Sequence, residues 1–364
     1  MRISPFLQRY APPSVIRNFI VNAIVGLPLF CGILFSGILA SQSQPSISNT
    51  WMVTIVLPPE LMAGHPATLG VLGVDGRLAP GVKVDLGNGL NVTTDRTGRA
   101  LFTVPSSGDY LLAKASGASA AALIDPATGA SEPKTVSLPP VVSVRDRFWI
   151  CGAGLNSEAD ANSVRINGEA AVVLAASPVC VVVLAEPNSP TGPASILVQA
   201  PGVRWGAATT LVSLQFVAPS PALQPGQKGK LAIRVDGSSQ KLNVAVEDGN
   251  PGVLRFEQRQ AQRLTTSGGT VNVAEINVRA ITSGNYSLGA RLVPAPNVPA
   301  AERFLMAAES LAPEDSRRRI SGLASRLARN PRAAERFEPD LDQIATRTMA
   351  GDLRTLLDAA RDAL

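Results

Sequence analysis

A chain of 364 residues can hold two to four domains, each with a core of its own. Hydrophobic residues make up 45% and lie in periodic runs, which excludes a disordered chain; few aromatics (4%), few charges (17%), 31 Gly and 29 Pro suit short strands joined by tight turns. The net charge of +5 is modest, Arg2, Arg9 and Arg17 supply three of it, and no long Lys/Arg stripe speaks for a nucleic-acid partner.

Residues 1–18 read as a basic N-region. Phe19 to Ala40, FIVNAIVGLPLFCGILFSGILA, carries no charged side chain. As a helix it would run about 33 Å, close to the hydrocarbon thickness of a bilayer. Arginines before it and no acid place the N-terminus in the cytoplasm and the remainder outside. Its length favours a single-pass anchor over a signal peptide, although Ile38-Leu39-Ala40 before a polar Ser/Gln run is a tolerable cleavage site. Cys31 does not read as a lipidation site, because Phe30 stands where a small residue is needed and the apolar run continues past it. Residues 41–50 form a polar linker.

From Trp51 strand-length apolar runs alternate with turn signals such as Asp75-Gly76, Pro80-Gly81 and Gly87-Asn88-Gly89. Turns every few residues with period-2 alternation predict an antiparallel β-sandwich over 51–140. A second β-module is expected over 141–217, with Asn167-Gly168 as a two-residue hairpin turn. A third is expected over 218–298, after Pro219, Pro221 and Pro225. SSGDYLLAKA and TSGNYSLGAR share a G-[DN]-Y-x-L pattern around Tyr110 and Tyr286. Each tyrosine reads either as a tyrosine corner, held by its hydroxyl, or as a residue that simply favours strands.

Over 299–364 the periodicity becomes helical: Ile320, Leu323, Ala324, Leu327, then Leu341, Ile344, Ala345, Thr348, then Leu353, Leu356, Leu357, Ala360. Pro299, Pro313, Pro331 and Pro339 stand where first turns accept proline. This small all-α segment is expected to be removable without unfolding the β-modules, since a Pro-rich stretch precedes it. The fold class is thus mainly β: an N-terminal membrane helix, three Ig-like antiparallel sandwiches in tandem, and C-terminal helices.

CGAGL, VRINGEAA and SILVQAPG in the middle module resemble the TIG/IPT fold, and also Ig-like repeats of acidobacterial surface proteins, over about 70 residues. That family's opening Pro-rich turn is missing before Phe148, and its pattern has no cysteine pair. The first module, from PGVKVDLG to YLLAKASG, is similar to carboxypeptidase-regulatory-like, transthyretin-like sandwiches. These resemblances imply spacers, adhesive modules or stabilising appendages, and bring no catalytic residues.

The single histidine, His65, lies between Gly64 and Pro66 in a turn-like stretch, so a triad or a zinc site finds no support. Gly152-Ala153-Gly154 has no Lys-Ser/Thr to complete a phosphate loop. Asp236, Glu247 and Asp248 lie near glycines in turn-like sequence, and only Asp248 with Asn250 hints at calcium. Arg317-Arg318-Arg319 follows Glu314 and Asp315 and reads as a solvated helix face. Trp51, Trp149 and Trp205 make no aromatic platform for sugar. Export permits disulfides, and Cys151 with Cys180 is the expected pair.

No catalytic, cofactor or metal residues are therefore assigned. The expectation is a non-catalytic structural or interaction protein of a cell envelope, with an envelope or extracellular protein as partner, no nucleic acid, and the membrane engaged through 19–40. It would be anchored with its C-terminus outside, or secreted if the segment is cleaved. The alternatives are a binding module for a glycan or protein ligand, and an accessory subunit docking on a secreted enzyme complex through its helices.

Overall fold

The computed structural model describes residues 53–126, 136–186, 188–217, 223–248, 252–257, 261–284, 288–349 and 351–364. The expected membrane segment 19–40, Trp51 and Tyr286 lie outside the described residues. Among those described, no helix is long and apolar enough to cross a membrane.

The first unit contains β1 (Thr54–Val56), β2 (Glu60–Met62), β3 (Pro66–Leu72), β4 (Lys83–Asp85), β5 (Asn91–Thr93), β6 (Arg99–Thr103), β7 (Tyr110–Ala115) and β8 (Ala118–Asp125). β1-β3-β6 forms one sheet and β2-β8-β7-β4-β5 the other. Alternating inward residues, such as Leu69 and Val71 of β3, Phe102 of β6 and Leu111 and Ala113 of β7, meet in one core.

The second unit has β9 (Val141–Ser143), β10 (Arg147–Cys151), β11 (Ser163–Ile166), β12 (Glu169–Ala176), β13 (Cys180–Leu184), β14 (Gly192–Ala200) and β15 (Val203–Val217). The expected Asn167-Gly168 turn joins β11 to β12, with φ of 51° and 87° at its two residues, the mirror-image turn that matches strand twist. β12 serves both sheets. Its start pairs with β11 and its end with β13, and the register shifts between Val173 and Ala175.

The third unit adds β16 (Lys228–Asp236), β17 (Asn243–Asp248), β18 (Leu254–Phe256), β19 (Ala261–Thr265), β20 (Asn272–Ala280) and β21 (Leu288–Leu292). Its sheets are β15-β16-β20-β18 and β19-β17-β21. The ladders are antiparallel with two exceptions, β2 with β8 and β9 with β15. The all-antiparallel expectation is corrected to that extent.

The units are fused. β15 pairs with β14 over its first part and with β16 over Ser213–Val217, so Leu211 lies in the second core and Val212 and Leu214 in the third. The first and second units meet edge to edge where Thr68 of β3 pairs with Ala176 of β12. Gly70 permits this approach, because a Cβ there would stand 2.5 Å from the Leu174 carbonyl oxygen. A small core of Val56, Leu72, Leu174, Ala175 and Val182 seals the junction.

The helices are α1 (Val298–Leu311), α2 (Glu314–Arg329), α3 (Glu338–Arg347) and α4 (Asp352–Asp362), with a 3-10 turn over Pro331–Phe337. Asn297 caps α1, its side-chain oxygen accepting from the Ala300 N–H. The buried stripe includes Ile320, Leu323, Leu327, Leu341, Ile344, Leu356 and Leu357. That core continues into Leu123 of β8, with Tyr110, Leu112 and Ala121 packed against it. The helices therefore cover the outer face of the first unit's sheet. This shared core speaks against a freely removable helical segment: the apolar stripe meets a strand nearly two hundred residues upstream.

Candidate functional site

The site with the most concentrated chemistry lies between the first unit, the second unit and the helices, beside the segment that follows β21. β10 places Arg147, Trp149 and Cys151 at alternate positions, so the period of two turns all three to one side. Opposite them α4 presents Asp358 and Asp362, one turn apart, with Ala359 between. Together with Glu60, Ser119, Phe304 and Thr355 they line a cavity of about 470 Å³.

Cys151 and Cys180 form the expected disulfide, with Cα atoms 4.0 Å apart. They sit directly opposite each other on antiparallel β10 and β13, so the bridge links neighbouring strands of one sheet and does not cross the core. On its other side Cys151 exchanges two backbone hydrogen bonds with Ser137. Half-buried Trp149 and Met62 pack against the bridge.

The charges at this junction hold the units together. On the first unit's side, the Arg303 guanidinium donates to Asp125 at 2.6 Å and to the Ile124 carbonyl at 2.7 Å. Lys114 pairs with Asp352, and the Thr355 hydroxyl meets Ser119 at 2.7 Å. On the third unit's side, Arg263 Nε reaches Glu338 at 2.8 Å, and Arg291 reaches Asp362 at 3.3 Å. Burial pushes the Glu338 carboxyl above its ordinary range against the pull of Arg263. Asp146, which accepts from the Leu292 N–H at 3.3 Å, is likewise held high by burial. Desolvation lowers the neighbouring Arg147, partly offset by Asp146.

Between the first and second units the key residue is Arg99. Its Nε and Nη2 both donate to the Val173 carbonyl, at 3.0 and 2.6 Å, and Nη1 to Asp160 at 3.0 Å. Such a fork grips one acceptor in a fixed orientation. No sequence pattern marks Arg99, Arg263 or Arg303 for these roles. Each partner is remote in the chain and becomes a neighbour only on folding.

Tyr110 opens β7, half-buried against the helices, and burial raises its phenol, followed by the charges of Asp352 and Asp109. His65 lies in an exposed bend after β2. Asp236 pairs with Arg234 at 2.8 Å. Among the described residues, no three His, Cys, Asp or Glu side chains are placed to hold a metal.

The architecture defines a class, tandem β-sandwiches braced by a helical bundle. No protein-family model and no curated protein matches the chain. Among solved structures it is similar to the full extracellular region of plexin A4, at 12% identity and a TM-score of 0.26, over 68% of this chain and 23% of that one. It is also similar to SGBP-B of the Bacteroides ovatus mixed-linkage glucan utilization locus, solved with a mixed-linkage heptasaccharide, at 12% identity and a TM-score of 0.18, over 68% and 62% of the two chains. The N-terminal four Ig domains of Dscam1 align at 10% identity and a TM-score of 0.20, over 64% and 73%. The chain thus spans less than two thirds of the first two of these structures.

Proposed function

We propose that the chain is a non-catalytic structural or interaction protein of a cell envelope, built of Ig-like modules, the middle one TIG/IPT-like and the first carboxypeptidase-regulatory-like. It is exported and held at the membrane by residues 19–40, or released if that segment is cleaved. The observation that carries this reading is the bracing of the chain. Arg303–Asp125 and Arg263–Glu338 tie the helices to the first and third units, and the chemistry-bearing side chains are used to join modules. The Cys151–Cys180 bridge supports an oxidising destination. Protease added after permeabilising the outer membrane should cleave beyond residue 41, and recovery of a shielded, full-length cytoplasmic chain would overturn the reading. A mature N-terminus at Ser41 would identify a secreted form.

A second reading, a binding module for a glycan or protein ligand, is favoured by Trp149 beside Arg147 and Asp362 in the junction cavity, an aromatic face next to planar polar groups. Saturable binding of an oligosaccharide, lost in Trp149→Ala with the fold intact, would select it. Docking on an enzyme complex through the helices finds less support, because their apolar faces are occupied by this chain's own first unit.

A further inference from the structure

The charge of this chain is unevenly placed. Residues 314–336 contain seven arginines and three acids, a net of +4 in a chain whose total is +5. Outside this stretch and the basic N-region, the chain is slightly acidic. In sequence Arg317-Arg318-Arg319 reads as a solvated helix face beside Glu314 and Asp315, and in the structure all three are exposed. Glu314 is engaged by Arg317 and Arg318, and Asp340 by Arg326. Arg319, Arg329, Arg332 and Arg336 are exposed and make no ion pair among the described residues. Along α2, Arg318, Gly322, Ser325 and Arg329 recur at three- and four-residue steps, so they share the side opposite buried Ile320, Leu323 and Leu327. Small residues separate the arginines on that side, where Arg318 meets Glu314 at 3.2 Å and Arg329 Nε donates to the Ser325 carbonyl at 3.1 Å. Exposed Leu311 ends α1, three residues before α2 begins, and Met306 of α1 is 66% exposed.

We infer that the outer face of α2 and the following turn is a docking surface for an anionic lipid bilayer. A planar, multiply charged surface matches a spread of unpaired arginines better than a single small anion does, and apolar side chains at the rim suit the headgroup boundary. The choice of a bilayer rests on the membrane reading of residues 19–40. The 12 residues 41–52 can span at most about 40 Å, which keeps the folded units close to the membrane in which such an anchor sits. The helices pack on the first unit, the one nearest that anchor in the chain. The anchor would raise the local concentration of the surface, and the arginine face would set the orientation of the whole braced assembly.

The test uses the full chain, with Cys31→Ser, and an environment-sensitive fluorophore on Ser325→Cys. It is reconstituted into vesicles of phosphatidylcholine alone or with about a third phosphatidylglycerol. Docking should shift the emission to the blue and reduce quenching by acrylamide severalfold in the anionic vesicles only. Raising salt from about 0.1 to about 0.5 M should reverse both changes. Arg319→Gln/Arg329→Gln/Arg332→Gln should weaken docking by about fivefold for each arginine removed, on the order of 100-fold together. Arg165→Gln/Arg204→Gln/Arg255→Gln, which removes equal charge from the sandwiches, should leave it unchanged. Equal quenching in both vesicles, persistence in high salt, or equal loss in the two triple variants would overturn the proposal. So would tighter binding to DNA or polyglutamate than to anionic vesicles, which would reassign the face. Flotation separates this from the anchor: a chain that floats with anionic vesicles in a salt-reversible way, but never with neutral ones, refutes the anchor and leaves the arginine face standing.

Discussion

Arg263 on β19 and Glu338 in the first turn of α3 form an ion pair of 2.8 Å in which both side chains are only 20% exposed. Their partnership spans the third sandwich and the helical bundle, and Arg263 Nη2 adds a hydrogen bond to the Arg361 carbonyl at 3.3 Å. Removing one partner of a largely desolvated pair leaves the other without compensation, so Arg263→Ala should destabilise by about 2–4 kcal/mol. Replacing both by apolar residues should cost much less. A double-mutant cycle read by urea unfolding checks this, and purely additive effects would refute the coupling.

Truncation after residue 297 should impair the first unit. It would strip the helices from Leu123, Tyr110, Leu112 and Ala121 and expose a contiguous apolar sheet face. A milder probe is Leu305→Ala in α1, where a fully buried leucine should cost about 2–5 kcal/mol. Loss of cooperative β-unfolding or aggregation of the truncated chain is the expected result. An intact, monomeric and equally stable sandwich array would show the helices to be dispensable.

Arg99→Met should loosen the joint between the first two units. The guanidinium is 12% exposed on its side chain and satisfies the Val173 carbonyl twice, whereas Asp160 is 73% exposed. Leaving that carbonyl unpaired should cost about 1–3 kcal/mol, while Asp160→Ala should change stability by less than about 1 kcal/mol. Chemical denaturation of the two variants distinguishes the roles, and similar effects would contradict them.

Reduction of Cys151–Cys180 should lower the melting temperature. The bridge closes a separation of 29 residues, for which the chain-entropy account gives about 3.5 kcal/mol. Because Met62 of the first unit packs against it, and the Ser177 hydroxyl donates to Glu60 at 2.8 Å nearby, the loss should extend to the first unit's transition. Calorimetry with and without reductant measures this, and two thiols open to alkylation in the native oxidised protein would refute the bridge.

Stability should respond to the Asp146 carboxyl in an unusual direction. Burial raises it above the ordinary 3.8. Between that value and the raised one, the folded state still holds a proton that the unfolded chain has released. Stability therefore falls as pH rises through this window, and the penalty persists above it. Asp146→Asn, which can still accept from the Leu292 N–H, should remove that component and stabilise the protein at neutral pH. Asp95 titrates with the opposite sign, since the Thr97 hydroxyl bond lowers it and its contribution is lost only on acidification. Unfolding midpoints of the native chain and of Asp146→Asn against pH provide the check.

Local features were legible because local rules govern them. Asn167-Gly168 turns a hairpin because both residues accept positive φ, and Ile320, Leu323 and Leu327 form a stripe because 3.6 residues make a turn. The parallel edge pairs and the passage of β15 from one core into the next had no comparable signal. A strand's pattern shows that it has an inner face, but not which sheet lies beside it.

By itself, the sequence determined that the chain is mostly β with helices at its end, that strands and turns alternate through three stretches, and that two cysteines were available to pair. Each of these follows from residue chemistry acting over a few neighbours. Only the tertiary structure decided that the bridge joins adjacent strands, that Arg99 and Arg263 brace the units, that the helices cover β7 and β8, and that four arginines of the α2 region make no ion pair among the described residues. Those outcomes depend on which surfaces meet across hundreds of residues, where burial and charge are settled by packing and no periodicity along the chain records the partner.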